Sequence, residues 1–306
     1  MTRIPAFSWL VASSLFLLTG LVPAQQTLLQ QDHLAGRAAA GRELAQLVQE
    51  TSGAKPEEAE ARFGPAVAAA ASTVALLAEG SAARTRLEAA ITRARALAVE
   101  SGAKAGLDHL RGEANELGEE LRFQPMMEAE MPADFPAYRG LGELELREYP
   151  TYRMARATMR GRGATMGSFW TLFQHIQKND IAMTAPVQVD YVVTEQGERE
   201  GSMAFLYGSP EVGPAGSAGK VEVVDVPKIT VLSIGARGSD TATRIEEMSQ
   251  RMRDFVAANA TTWEIAGPIR TMGYNGPSVR GDKRYFEVQL PVRKVEKATK
   301  EARGSN

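Results

Sequence analysis

One short pattern occurs twice in this 306-residue chain, and it narrows the possible folds more than any other feature. Leu144-Glu145-Leu146-Arg147-Glu148-Tyr149-Pro150 matches Val221-Glu222-Val223-Val224-Asp225-Val226-Pro227. An alternating stretch follows in each copy, Tyr152-x-Met154-x-Arg156-x-Thr158 and Ile229-x-Val231-x-Ser233. Each then reaches an Arg-Gly pair, with eleven residues from Pro150 to Gly161 and from Pro227 to Gly238. Alternation at period two predicts strands, and equal spacing of acid, proline and glycine predicts a duplicated unit.

A helical period comes next in both copies. Phe169, Leu172, Phe173 and Ile176 share one face of a helix over 166–177, with Trp170 at its margin. Ser239 or Asp240 is positioned to cap a second helix carrying Ile245, Met248, Met252, Phe255 and Val256 on one side. Two strands are expected after each helix: 181–193 and 203–207, then 269–274 and 285–292. The expected fold is therefore α+β: a doubled βαββ domain over 138–294, forming a twisted antiparallel sheet or distorted barrel with two helices. A pseudo-twofold axis would leave a groove between the halves, and grooves suit ligands.

The preceding residues differ in composition. Over 25–122 the chain is rich in Ala, Glu and Arg. The series Leu34, Ala38, Gly41, Ala45, Val48 and Leu107, Leu110, Ala114, Leu117, Leu121 predict helices with one apolar stripe each. Pro56, Gly64-Pro65, Gly80-Ser81 and Gly102 with Gly106 punctuate them. Three or four antiparallel helices packed through Ala are expected, either as a spacer appended to the second domain or as a protein-partner surface. Residues 123–137 hold Pro125, Pro132 and Pro136 among Met126, Met127, Met131 and Phe135, which predicts an extended linker. A polar tail covers 295–306.

At the N-terminus, Arg3, the apolar run Leu10–Val22 and the small residues around Pro23-Ala24 read as an export signal over 1–24, with Gln25 as the mature start. Export to a periplasm or outside the cell is expected, with no integral membrane span after cleavage; an uncleaved anchor is the alternative. There is no Cys, so disulfides, thiolate nucleophiles and covalent haem attachment are excluded, and only three His are present. A net charge of −2 gives no footprint for nucleic acid. No Ser, His and acid are spaced to suggest a nucleophile, so a binding module is expected rather than an enzyme.

The helix SFWTLFQHIQKN, the strand IAMTAPV, the start LELREY and the turn GYNGP together resemble the SOUL haem-binding family, over about half of the chain. The resemblance implies non-covalent binding of haem or a related tetrapyrrole. It also implies kinship with effector modules of the gyrase-inhibitor type, which bind amphipathic organic molecules. On that basis the candidate contacts are Met166, Phe169, Trp170, Phe173, His175, Met183 and Tyr274, with Arg280, Lys283 and Arg284 (and Arg160 and Arg162) as cations for propionates. No metal ligand is assigned: some family members carry His where this chain has Glu148. Two other readings stay open. One is a different amphipathic ligand, with Glu148 set for a cation. The other is a partner-binding structural protein whose groove is vestigial.

Overall fold

The computed structural model describes residues 23–159, 164–195 and 197–296, with side chains from Leu34 onward. Residues 1–22, which hold most of the export signal expected over 1–24, lie outside the described residues, as do Arg160, Arg162, the His33 side chain and the tail from 297.

Four helices open the chain: α1 (Pro23–Thr51), α2 (Pro56–Val74), α3 (Ala82–Ser101) and α4 (Ala103–Arg122). They run antiparallel, as the side-chain pairing shows. Arg86 near the start of α3 bonds Glu113, Glu116 and Glu120 towards the end of α4, and Arg111 of α4 reaches the Thr51 carbonyl at the end of α1. Their core is Leu44, Leu47, Leu87, Leu107, Leu110, Leu117 and Leu121 set among alanines. The α4 stripe is the one expected from its period. The α1 stripe is displaced: Ala38 and Ala45 are only half-buried, while Arg37, Ala40, Leu44 and Leu47 face inward. Arg37 causes the displacement. Its guanidinium is buried, pairs with Glu143 and donates to the Leu141 carbonyl at 3.1 Å, so a charged side chain occupies a seam position to hold the next domain.

Gly64-Pro65 does not interrupt α2. Both residues are exposed, so the carbonyl that loses its donor to Pro65 faces water. Gly102, at a φ of 90°, does separate α3 from α4. Gly106 has a different task. A Cβ there would lie 2.5 Å from the Ala94 carbonyl oxygen, so its hydrogen lets the two helices touch.

Residues 123–143 cross to the second domain with no helix or strand. Ten strands then form one antiparallel sheet: β1 (Leu144–Tyr149), β2 (Tyr152–Thr158), β3 (Val187–Thr194), β4 (Gly197–Leu206), β5 (Gly216–Ala218), β6 (Val221–Val226), β7 (Ile229–Arg237), β8 (Trp263–Ile265), β9 (Arg270–Gly273) and β10 (Tyr285–Lys294). Helix α5 (Ala164–Lys178) follows β2, and α6 (Ala242–Ala258) follows β7. The strand order is β1-β7-β10-β9-β3-β4-β2-β6-β5, with β8 paired to β10. The sheet is not closed into a barrel.

The order of its eight main strands is symmetric about the β9–β3 contact. β9 mirrors β3, β10 mirrors β4, β7 mirrors β2 and β1 mirrors β6. The repeat is therefore real, with one crossing-over: β1 pairs with β7 of the other half, Leu146 opposite Leu232, and β6 pairs with β2, Val224 opposite Met154.

Alternation sends neighbouring side chains to opposite faces of the sheet. On one face α5 seats Leu172 and Ile176 on Ala155, Ala157, Met203, Phe205 and Val223. In the other half α6 seats Ile245, Met248, Met252 and Val256 on Leu232, Ile234, Phe286, Val288 and Leu290. The opposite face carries no helix, and the chain 123–143 covers it. Phe135 packs there with Tyr149, Tyr152, Met154 and Leu206. The segment 181–186, expected as strand, is irregular apart from its hydrogen bonds: Ile181 N–H to the Ile176 carbonyl at 2.9 Å and Ala185 N–H to the Glu130 carbonyl at 3.0 Å. The Ala185–Pro186 peptide is cis.

Candidate functional site

Helix α5 is amphipathic in an unusual sense: its second face is also apolar. Leu172 and Ile176 are buried against the sheet, yet Met166 is 59% and Trp170 52% exposed. Phe169 and Phe173, one turn apart, are half-buried between those faces. Their rings lie nearly parallel, 6.1 Å apart at 10°, and Trp170 meets them edge-on at 5.9 and 5.6 Å. Phe205 supports Phe169 from the sheet at 5.2 Å. An exposed Met and Trp beside two half-covered Phe form a continuous apolar patch, larger than a solvated helix needs.

Further along the same helix, His175 is engaged at both ring nitrogens. Nε2 lies 2.9 Å from the Tyr207 hydroxyl and Nδ1 lies 3.4 Å from the Asn179 amide. Partial burial, and then the Lys178 charge, hold its pKa below the ordinary histidine value. Met183 packs beneath the helix as part of its core. Met166, Phe169, Trp170 and Phe173 are thus brought together, with His175 and Met183 alongside as packed neighbours.

The remaining candidates are not on this patch. Tyr274 is buried on the helix-free face and donates to Glu287 at 3.1 Å. Arg280 is paired with Asp282 two residues away. Arg284 donates to the carbonyls of Val279 and Pro277 at 2.9 and 3.2 Å, and Lys283 is exposed on the same loop. That loop is tied to the linker by Asn275 donating to the Met126 carbonyl at 2.6 Å and by the Gly276 N–H donating to Glu128 at 2.6 Å. Sequence reasoning grouped these cations with α5, whereas the fold assigns them to the other half of the sheet. Glu148 is exposed and bonds Lys228 at 2.9 Å on the surface.

A fully buried polar network on the helix-free face went unforeseen. Glu287 accepts from Arg147 at 2.6 Å, Tyr285 at 2.8 Å, Tyr274 at 3.1 Å, Ser233 at 3.2 Å and Gln289 at 2.7 Å. Arg270 donates to Gln289 at 2.9 Å and to the Tyr152 hydroxyl at 2.7 Å, and lies over the Tyr149 ring at 5.3 Å. Burial alone would push the Glu287 carboxyl up. Arg147, with the donated hydrogen bonds, outweighs it and holds the group below the usual carboxylate range. The only advance sign was alternation itself, which puts Glu287 and Gln289 together opposite Phe286, Val288 and Leu290.

The residues suit a tetrapyrrole in one respect and not in another. The α5 patch offers flat apolar surface for a macrocycle. Among the described residues no imidazole with a free nitrogen stands on it, since His175 is hydrogen-bonded and His109 belongs to α4. Among the described residues no group of three or more His, Cys, Asp or Glu is arranged to hold a metal ion, and no helix is long and apolar enough to cross a membrane.

No curated protein matches the chain. Among solved structures, the C-terminal domain of EcmrR is similar at 17% identity with a TM-score of 0.41, covering 50% of this chain and 98% of that one. A hydrolase from Listeria innocua is 9% identical with a TM-score of 0.37, over 50% of this chain and 93% of that one. SAV2435, solved bound to tetraphenylphosphonium, is 14% identical with a TM-score of 0.33, over 49% and 94%. Residues 133–291 match the SOUL heme-binding protein family. That stretch takes in both halves of the sheet, α5 and α6, and the chain belongs to the SOUL heme-binding protein family.

Proposed function

We propose that this protein binds haem or a related tetrapyrrole non-covalently on the exposed apolar face of α5, as a binding module and not as an enzyme. The observation that carries the reading is the pairing of exposed Met166 and Trp170 with the parallel Phe169 and Phe173 rings, on a helix whose opposite face already fills its core. Family membership supports the ligand class. The macrocycle would lie against Met166 and Trp170, with Phe169 and Phe173 as its floor. The bound group would supply its iron and its absorbance; this chain supplies apolar contact and exclusion of water from one ring face.

The test is a haemin titration followed by Soret absorbance, on the wild type and on Met166→Ala/Trp170→Ala. A saturable one-to-one shift in the wild type, weakened at least tenfold by the double substitution, supports the proposal. No saturable shift, or one indifferent to the substitutions, overturns it. Tighter binding of a cationic dye than of haemin would favour a different amphipathic ligand.

Export belongs to the same proposal. Its support is the pattern of residues 1–24, and its test is the mass of the protein recovered from an exporting host. A chain starting at Gln25 supports it, and an intact Met1 in the cytoplasm overturns it.

A further inference from the structure

The helix-free face is built more like a recognition surface than like a core. At its centre a glutamate, two arginines and four tyrosines are buried under a segment of chain that contributes no strand or helix. Burying charge is costly unless every charge is matched. Arg147 and Glu287 match one another. Arg270 makes no direct ion pair among the described residues: the carboxylate opposite it in the ladder, Asp190, accepts from Gln188 at 2.7 Å and Ser202 at 3.2 Å instead. The bonded partners of Arg270, Gln289, Tyr152 and the Tyr149 ring, are all neutral, and its Nη2 is buried with no hydrogen-bond partner among the described residues. A guanidinium that is 4% exposed, with one arm of its fork unused, fits an anionic acceptor.

The cover over this centre occupies an aromatic slot. Phe135 stands edge-on to Tyr149 at 5.0 Å and to Tyr152 at 5.3 Å, the two tyrosines that touch Arg270. The strap that carries it is held by scattered bonds: Ala133 N–H to the Gly208 carbonyl at 2.9 Å, the Glu130 carbonyl to Ala185, and the Met126 carbonyl to Asn275. With no ladder holding it, the strap can lift without breaking the sheet, at the cost of these bonds, the Glu128 contacts to Gly276 and Ser278, and the burial of Phe135.

We propose that the helix-free groove is a binding site for an aromatic carboxylate, shut by the strap in this structure. Phe135 stands where the ligand's ring lies when the strap lifts, and the unused arm of Arg270 takes the carboxylate. This site is on the opposite face of the sheet from α5 and does not depend on the haem reading.

The probe is 1-naphthoate, titrated into the full chain by its fluorescence, with 1-naphthylmethylammonium as the charge-reversed control. Saturable naphthoate binding is expected, at least tenfold tighter in Phe135→Ala than in the wild type. Arg270→Gln, checked for folding by circular dichroism, should abolish it in both backgrounds, and the ammonium compound should not bind. In the wild type, naphthoate should also speed hydrogen exchange at the Ala133 amide, a readout that survives should Phe135→Ala fail to fold. Absence of saturable binding to the wild type and to folded Phe135→Ala, equal binding of the two probes, indifference to Arg270→Gln, or unchanged exchange at Ala133 on binding would each overturn the proposal.

Discussion

Arg147 on β1 closes a 2.6 Å ion pair on Glu287 of β10, 140 residues further along the chain. Each is almost fully buried, and they sit on strands separated in the sheet by β7. The pair therefore spans the two halves of the repeat, and its strength depends on a pairing between halves that no local interaction enforces.

Removing one partner should be far worse than removing both. Glu287→Gln leaves Arg147 with Glu145, at 3.1 Å, as its remaining carboxylate and breaks the more deeply buried of its two ion pairs, at an expected cost of about 3 kcal/mol by denaturant unfolding. Arg147→Met with Glu287→Gln should recover most of that loss. The pH dependence follows from the same pair. Glu287 is more acidic folded than unfolded, so its stabilisation is complete above the unfolded value of about 4.3 and is lost as pH falls through the folded value. Unfolding free energies measured from pH 7 to pH 3 should drop more steeply in the wild type than in the doubly substituted protein. Parallel curves would refute this.

The α5 patch should separate binding from stability. Met166 and Trp170 are exposed, so alanine at either position should change stability by no more than about 0.5 kcal/mol while weakening haemin binding. Leu172, on the buried face of the same helix, should cost about 2–5 kcal/mol when cut to alanine. Thermal melts of the three variants check both halves of this statement.

His175 is expected to matter little for haem, because its two ring nitrogens are already engaged by Tyr207 and Asn179. His175→Ala should leave the Soret shift in place. Its imidazole resonances should titrate below the ordinary midpoint of about 6.5, since burial and then Lys178 disfavour the cation. A folded pKa that is depressed favours the neutral ring. Its contribution to stability is therefore present above about pH 6.5 and fades as pH falls towards the folded value.

Two glycines of α4 should respond in opposite directions. Gly106→Ala forces a methyl against the Ala94 carbonyl and the Phe63 ring, at a cost of about 1–3 kcal/mol. Gly112 is exposed in the same helix, and a methyl group there would meet nothing within 4 Å. Gly112→Ala should therefore gain about 0.5–1 kcal/mol. Melting temperatures of the two variants decide the point.

Period carried a good part of the fold in the sequence. The α5 and α6 faces, the α4 stripe and the strand pairs of each half follow from spacing alone, because a strand or helix advertises its buried side locally. Pairing between halves is not local, so the exchange of β1 and β6 left no trace in the spacing. Arg37 misled the α1 stripe because a buried arginine counts as polar until its partner Glu143 is known. The same holds at the candidate site. Phe169 and Phe173 were legible on one helix face with Trp170 at its margin, and Met166 came from the family resemblance, whereas the place of Tyr274 and Arg284 depended on strand direction, which puts them with Glu287 and the strap.

The exchange of β1 and β6 bears on how such a domain can be cut. Each half lends its first strand to the other, so a chain ending after β4 keeps β2 with one edge bare and β1 with nowhere to lie. Two such half-length chains satisfy one another by trading those strands around a twofold axis. The doubled chain is thus a dimer whose partners are joined in series, and the join spares it the concentration dependence that separate partners would face.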